Sequence, residues 1–143
     1  MVVNQRTKKL FVDIKLDTKI VLAGLWVGLM LLYIYCDIFA LFEPGKFNRI
    51  ASGFIGPFKV SQITLLTTSL LMIIPAIMVL LCLVTMSNVN RWINIIAGIV
   101  YTLVGIGNII GETWIYYVVF VTIELTITVS IIIISIKWPV RHN

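Results

Sequence analysis

WIYYVVFVTIELTITVSIIIISI, residues 114–136, is the stretch that decides the fold, and Glu124 is the only residue in it with a full charge. A run of this length crosses the hydrocarbon core of a bilayer as one helix. A carboxylate near its centre costs about 2.5–3.5 kcal/mol on insertion scales. Such a group must meet a partner, a water-filled cavity or a proton. The stretch therefore predicts both a membrane protein and the place of its polar interior.

Working outward, three more charge-poor segments of spanning length appear at about 20–42, 60–86 and 92–110. The chain has 143 residues, 60% of them hydrophobic and 12% charged, which is more apolar surface than a soluble domain of this size can bury. The expected fold class is all-α: an integral membrane four-helix bundle forming a single domain over residues 1–143. The first span is too long for the apolar core of a signal peptide, and no cleavage motif follows it, so it is read as a mature helix. No residues are left for a separate enzymatic domain outside the membrane.

The net charge of +5 is unevenly spread. Placing both termini in the cytoplasm puts eight basic residues inside: Arg6, Lys8, Lys9, Lys15, Lys19, Arg91, Lys137 and Arg141. It leaves three outside, Lys46, Arg49 and Lys59, as the positive-inside rule favours. The expected location is a cytoplasmic (inner) membrane, multi-pass, with both termini cytoplasmic. Phe11, Ile14 and Ile20 interleave with the N-terminal charges, so that segment is expected to lie on anionic headgroups. The partner implied by this pattern is the lipid bilayer, not nucleic acid.

Cys36 and Cys82 fall near opposite ends of spans 1 and 2, on the order of 20 Å apart in depth. They cannot pair within one subunit, and without a C-x-x-C the chain does not read as a membrane thiol oxidoreductase. The first loop, residues 43–59, opens with Glu-Pro-Gly and closes with Gly-Pro-Phe, both turn signals. Between them Phe47, Ile50, Ala51, Phe54 and Phe58 recur at helical spacing. A short interfacial amphipathic helix is expected there, capping the mouth of the bundle or dipping its rings into lipid. Residues 87–91 read as a tight turn, as do 111–113, so the helices they join should be antiparallel neighbours. Trp26, Trp92, Trp114, Tyr116, Tyr117 and Trp138 read as anchors near span ends.

At about 100° per residue, Asn94, Gly98, Tyr101, Gly105, Asn108 and Glu112 share one stripe of span 3, and Ile96, Val100, Leu103 and Val104 the other. The polar stripe is expected to face inward, either for close helix packing or to line a polar cavity. Span 1 sets Trp26, Met30, Tyr33 and Asp37 opposite Gly24, Gly28, Leu31 and Tyr35. Gly24 and Gly28 form a G-x-x-x-G, open to a neighbouring helix or to a second copy in a homodimer. Span 2 aligns Ser61, Thr64, Thr68, Met72, Pro75 and Cys82, and Pro75 frees the Leu71 carbonyl. That carbonyl is either part of a simple kink or a coordinating group. Span 4 aligns Tyr117, Glu124, Thr128 and Ser135. Stacked by depth, these give an outer layer of Asp37, Glu43, Asn108 and Glu112 and a middle layer of Glu124, Tyr101 and Thr68. The candidate ligand or proton site is thus Glu124, Tyr101, Thr68, Asp37, Asn108 and Glu112, with Lys46, Arg49 or Lys59 available to neutralise its mouth. With no cation at its depth, Glu124 is expected to keep its proton or share it with Tyr101 or Thr68.

Several strings carry a family likeness: YIYCDIF at 33–39, EPG at 43–45, GPFKVSQ at 56–62, NRW at 90–92 and GNIIGETW at 107–114. Together they resemble an uncharacterised bacterial family of small four-helix membrane proteins, a domain of unknown function. The likeness runs from about Tyr33 to Pro139 and implies no activity and no catalytic residues. DoxX-like proteins are similar in architecture alone.

Three functional classes follow. One is a protein that binds or moves a small cation, a proton or an amine-like ligand along the polar seam. Small multidrug transporters also pair four helices with an intramembrane glutamate, but their pattern is not present. A second is an accessory or scaffold subunit whose seam only packs. A third is an intramembrane acid–base enzyme, for which no nucleophile–base pair appears, the lone histidine being His142 in the tail. No catalytic residue, cofactor or metal is expected.

Overall fold

A computed structural model describes residues 15–139. The basic segment before Lys15, with Arg6, Lys8, Lys9, Phe11 and Ile14, lies outside the described residues, as do Arg141 and His142. The fold is all-α. Its order is α1 (Thr18–Ala40), α2 (Lys46–Ala51), a two-stranded hairpin of β1 (Phe54–Ile55) and β2 (Phe58–Lys59), α3 (Gln62–Val84), α4 (Ser87–Ile109) and α5 (Ile115–Ile136). Four of these helices are long and apolar enough to cross a membrane.

Two of the long helices, α1 and α3, start at a side-chain cap. Asp17 caps α1 by accepting from the Lys19 amide at 2.8 Å, and Ser61 caps α3 by accepting from the Thr64 amide at 3.1 Å. These side chains satisfy donors that a first helical turn leaves free. Glu112 orders the loop just ahead of α5, its Oε1 accepting from the amides of Thr113 and Trp114 at 2.8 and 3.0 Å. The turn before it passes through Gly111 at φ +80°, a left-handed conformation that suits glycine.

The loop helix is shorter than the spacing of its phenylalanines suggests. α2 ends at Ala51, and Phe54 and Phe58 stand in the hairpin instead. Gly53 takes positive φ just past the helix end and turns the backbone away, and Gly56 takes positive φ in the hairpin turn. Residues 87–91 are not a turn but the first residues of α4. The connection is only Thr85 and Met86, and Asn90 is consequently a buried helical residue.

α5 packs broadly along α4 and more narrowly along α1, and α1 packs along α3. α3 and α4, despite the shortest connection, touch little through their backbones. Both pairs are neighbours as expected, but α3 and α4 meet mainly through side chains, with Tyr101 donating to the Leu71 carbonyl and Cys82 to Asn94 Oδ1. Large side chains fill the gap: Trp26 and Tyr101 are both buried in a core with Leu22, Leu29, Met78, Cys82 and Ile131. Their rings meet edge to face with centroids 5.7 Å apart. Trp26 is therefore no interfacial anchor. It is fully buried, whereas Trp92 and Trp114 are exposed.

Gly98 and Gly105 let α4 and α5 close on each other. A Cβ on Gly98 would stand 2.7 Å from Ile132 Cγ1, and one on Gly105 would stand 2.9 Å from Leu125 Cδ2. Thr102 stitches the same contact, with its hydroxyl 3.0 Å from that of Thr128. Gly24 and Gly28 are different: nothing lies within 4 Å of a Cβ built on either. The outward faces of all four long helices carry exposed aliphatic side chains such as Leu31, Leu66, Ile77, Ile96, Leu103, Ile123 and Ile133.

Candidate functional site

Glu124 projects from the inner face of α5, one turn from Val121 and Thr128, both buried. It is 3% exposed. Its Oε1 has no hydrogen-bond partner among the described residues. Four side chains lie within its electrostatic reach: Tyr33, Cys36 and Asp37 on α1 and Tyr117 on its own helix. α1 is held here by Phe39, whose ring packs against Tyr116 and Phe120 with centroids 6.4 and 6.1 Å apart.

Four carboxylates gather at this end of the bundle. Asp37, Glu43, Glu112 and Glu124 all lie within electrostatic range of the buried Cys36. Lys46 is the cation that meets them: it stands 3.3 Å from Glu43 Oε2 and also acts on Asp37. Tyr116 donates its hydroxyl to the other oxygen of Glu43. Arg49 goes elsewhere, donating to the Gly56 carbonyl at 2.9 Å. Of the three loop cations considered for the mouth, Lys46 is thus the one seated there.

The six candidate residues do not form one constellation. Glu124 and Tyr101 are buried. Asp37, Thr68 and Asn108 are exposed, and Glu112 is half-buried with Oε1 engaged by the amides of Thr113 and Trp114. Thr68 turns its hydroxyl back onto its own helix, to the Thr64 and Leu65 carbonyls at 2.9 and 3.1 Å. An α3 residue in the middle of an exposed stretch has no cross-helix acceptor to find, and back-bonding satisfies it. Asn108 lies in the last turn of α4, beyond the last glycine contact with α5, where the helix ends at Ile109. The expected middle layer of Glu124, Tyr101 and Thr68 is therefore not assembled. Tyr101 instead donates to the Leu71 carbonyl on α3, and its ring lies 6.4 Å from that of Tyr33.

A second polar cluster lies toward the other end; the sequence put Asn94, Cys82 and Ser135 on polar stripes but placed Asn90 in a turn. Asn94 Oδ1 accepts from Trp26 Nε1 at 2.7 Å and from Cys82 Sγ at 3.3 Å. Its Nδ2 donates to Asn90 Oδ1 at 2.7 Å and to the Asn90 carbonyl at 2.9 Å. Asn90 Nδ2 in turn donates to the Cys82 carbonyl at 2.5 Å. Every donor and acceptor of the Asn94 amide is used. Asn90 and Asn94 are four residues apart, so starting α4 at Ser87 would have put both on one face. Ser135 Oγ and Arg91 Nε are also buried, without hydrogen-bond partners among the described residues. No group of three or more His, Cys, Asp or Glu side chains is placed to hold a metal ion among the described residues.

These features belong to a recognised family. The chain is a member of DUF6326, a family of unknown function, whose profile matches residues 9–142. No curated protein and no solved structure matches it. The match covers the whole of the bundle, so all four membrane-compatible helices are part of the DUF6326 unit.

Proposed function

We propose that this DUF6326 protein binds a proton or a small cation, including a protonated amine, at Glu124 in the plane of the membrane. One observation carries the reading: a carboxylate 3% exposed, with an oxygen that has no partner among the described residues. Burying an ionised carboxyl is costly unless a proton or a cation accompanies it. Asp37, exposed and within electrostatic reach of Glu124, adds a second carboxylate toward the mouth. Tyr33 and Tyr117 supply aromatic faces and hydroxyls beside it. The setting of the proposal is a multi-pass protein of a bacterial cytoplasmic membrane with both termini on the cytoplasmic side.

Infrared difference spectroscopy of the full chain in liposomes tests it. At neutral pH a protonated-carboxyl band should be present and should vanish in Glu124→Gln. A carboxylate band at pH 7, with no protonated-acid band lost in the variant, would overturn the proton form of the proposal. In that case a cation must neutralise the group, and a small amine such as methylammonium should perturb the carboxylate band in the wild type alone.

A scaffold role is the second reading, and the saturated amide of Asn94 favours it. A polar group with all its hydrogen bonds made inside the chain orders helices and leaves nothing for a ligand. Under that reading Glu124→Gln changes neither pH response nor stability, and the protein co-purifies with a fixed membrane partner.

A further inference from the structure

The segment from Phe47 to Lys59 contributes nothing to the core: none of its residues is buried. It nevertheless holds a defined shape. Arg49 ties α2 to the hairpin through the Gly56 carbonyl, Ser52 Oγ donates to the Asn48 carbonyl at 2.7 Å, and the Val60 amide closes on the Gly53 carbonyl at 2.8 Å. Large apolar side chains stand out from it, with Phe47 68% and Phe58 64% exposed. A groove of about 370 Å³ opens beside them, lined by Asn48, Arg49, Ser52 and Phe54. The acid next to the segment, Glu43, is engaged by Lys46 and Tyr116. Arg49 and Lys59 have no carboxylate partner among the described residues. Arg49 spends one N–H on Gly56 and has four more in its planar fork.

The segment joins two helices that are long enough to cross a membrane, so it stands where headgroups meet acyl chains. We propose that it binds an anionic phospholipid. Arg49 takes the headgroup phosphate in the groove with Asn48 and Ser52, and Phe47 and Phe58 seat in the acyl boundary. A guanidinium fork matches a phosphate in geometry and charge. The two exposed rings select a lipid over a soluble phosphate, because only a lipid brings an apolar phase with it. The site stands apart from Glu124 and does not depend on the reading given for it.

Native mass spectrometry of the full chain, released from detergent with equal phosphatidylglycerol and phosphatidylcholine, tests this. The wild type should retain phosphatidylglycerol preferentially. Arg49→Gln should lower that preference about fivefold, the weight of one cation near an anionic surface, and Arg49→Lys should lower it less. Lys137→Gln, at the opposite end of the chain, should leave it unchanged. Phe47→Ser with Phe58→Ser should weaken retention of both lipids. A thermal melt confirms that Arg49→Gln is folded; Lys59→Gln is the alternative probe, expected to act in the same direction. An unchanged preference in Arg49→Gln and Lys59→Gln would overturn the proposal. So would displacement of phosphatidylglycerol by an equal concentration of inorganic phosphate, which would mark a site for a soluble anion.

Discussion

The Tyr101 hydroxyl donates to the Leu71 carbonyl, the acceptor that Pro75 leaves without its own helical donor. A break in one helix is thus filled by a side chain from another. The bond also joins α3 to α4, two helices whose backbones scarcely meet.

If this exchange is what Tyr101 does for stability, Tyr101→Phe and Pro75→Ala should not be additive. Tyr101→Phe leaves a buried carbonyl unpaired, at a cost of about 1–3 kcal/mol. Pro75→Ala restores an amide that can reach Leu71 within α3. The double variant should recover much of the loss, read as a coupling energy from denaturant unfolding in detergent. Additive effects would mean that the carbonyl finds water or another donor.

Asn94→Leu should be among the most damaging single changes in the chain. It leaves Trp26 Nε1 and Asn90 Oδ1 without their partners in a buried site, at about 1–3 kcal/mol for each group. Because Trp26 is a direct partner, its fluorescence should shift as well. An unaltered spectrum together with wild-type stability would contradict the bonding described for this residue.

The glycines divide into two groups. Gly98→Val should destabilise by about 1–3 kcal/mol through overpacking against Ile132. Gly24→Leu with Gly28→Leu should leave the melting temperature of the monomer unchanged, because both positions face open space. The same pair of leucines should weaken a homodimer built on that face. Crosslinking yield in liposomes reads this out, and wild type and variant crosslinking alike would remove the dimer.

The distribution of basic residues predicts an orientation. Reporter fusions before Met1 and after Asn143 should both report the cytoplasm, and a reporter inserted after Gly53 should report the opposite side. A C-terminus on the opposite side from the N-terminus would be incompatible with four crossings.

Much of this was readable along the chain because bilayer length and helical period are local rules. The four spans, the inward stripe through Asn94, Gly98, Tyr101 and Gly105, and the burial of Glu124, Thr128 and Ser135 all follow from spacing at 3.6 residues per turn. The freed carbonyl of Leu71 also follows from Pro75 alone. The start of α4 did not, because Ser87, Asn88 and Asn90 read equally well as turn residues, and moving that boundary brought Asn90 into the interior.

Sequence by itself determined the class of the molecule, the number of its membrane-compatible helices and the presence of a carboxylate with no charge partner on its own helix. Those are properties of one segment at a time. Tertiary structure alone decided which polar groups meet. A stripe on one helix does not say which neighbour lies opposite, and α3 and α4 meet through a few side chains rather than along their backbones. Thr68 therefore turns back on its own helix, Tyr101 reaches the Leu71 carbonyl rather than Glu124, and Asn94 closes a network with Trp26, Cys82 and Asn90. Glu124 is left facing α1, where Tyr33, Cys36 and Asp37 come within electrostatic reach because α5 packs against α1 and not against α3.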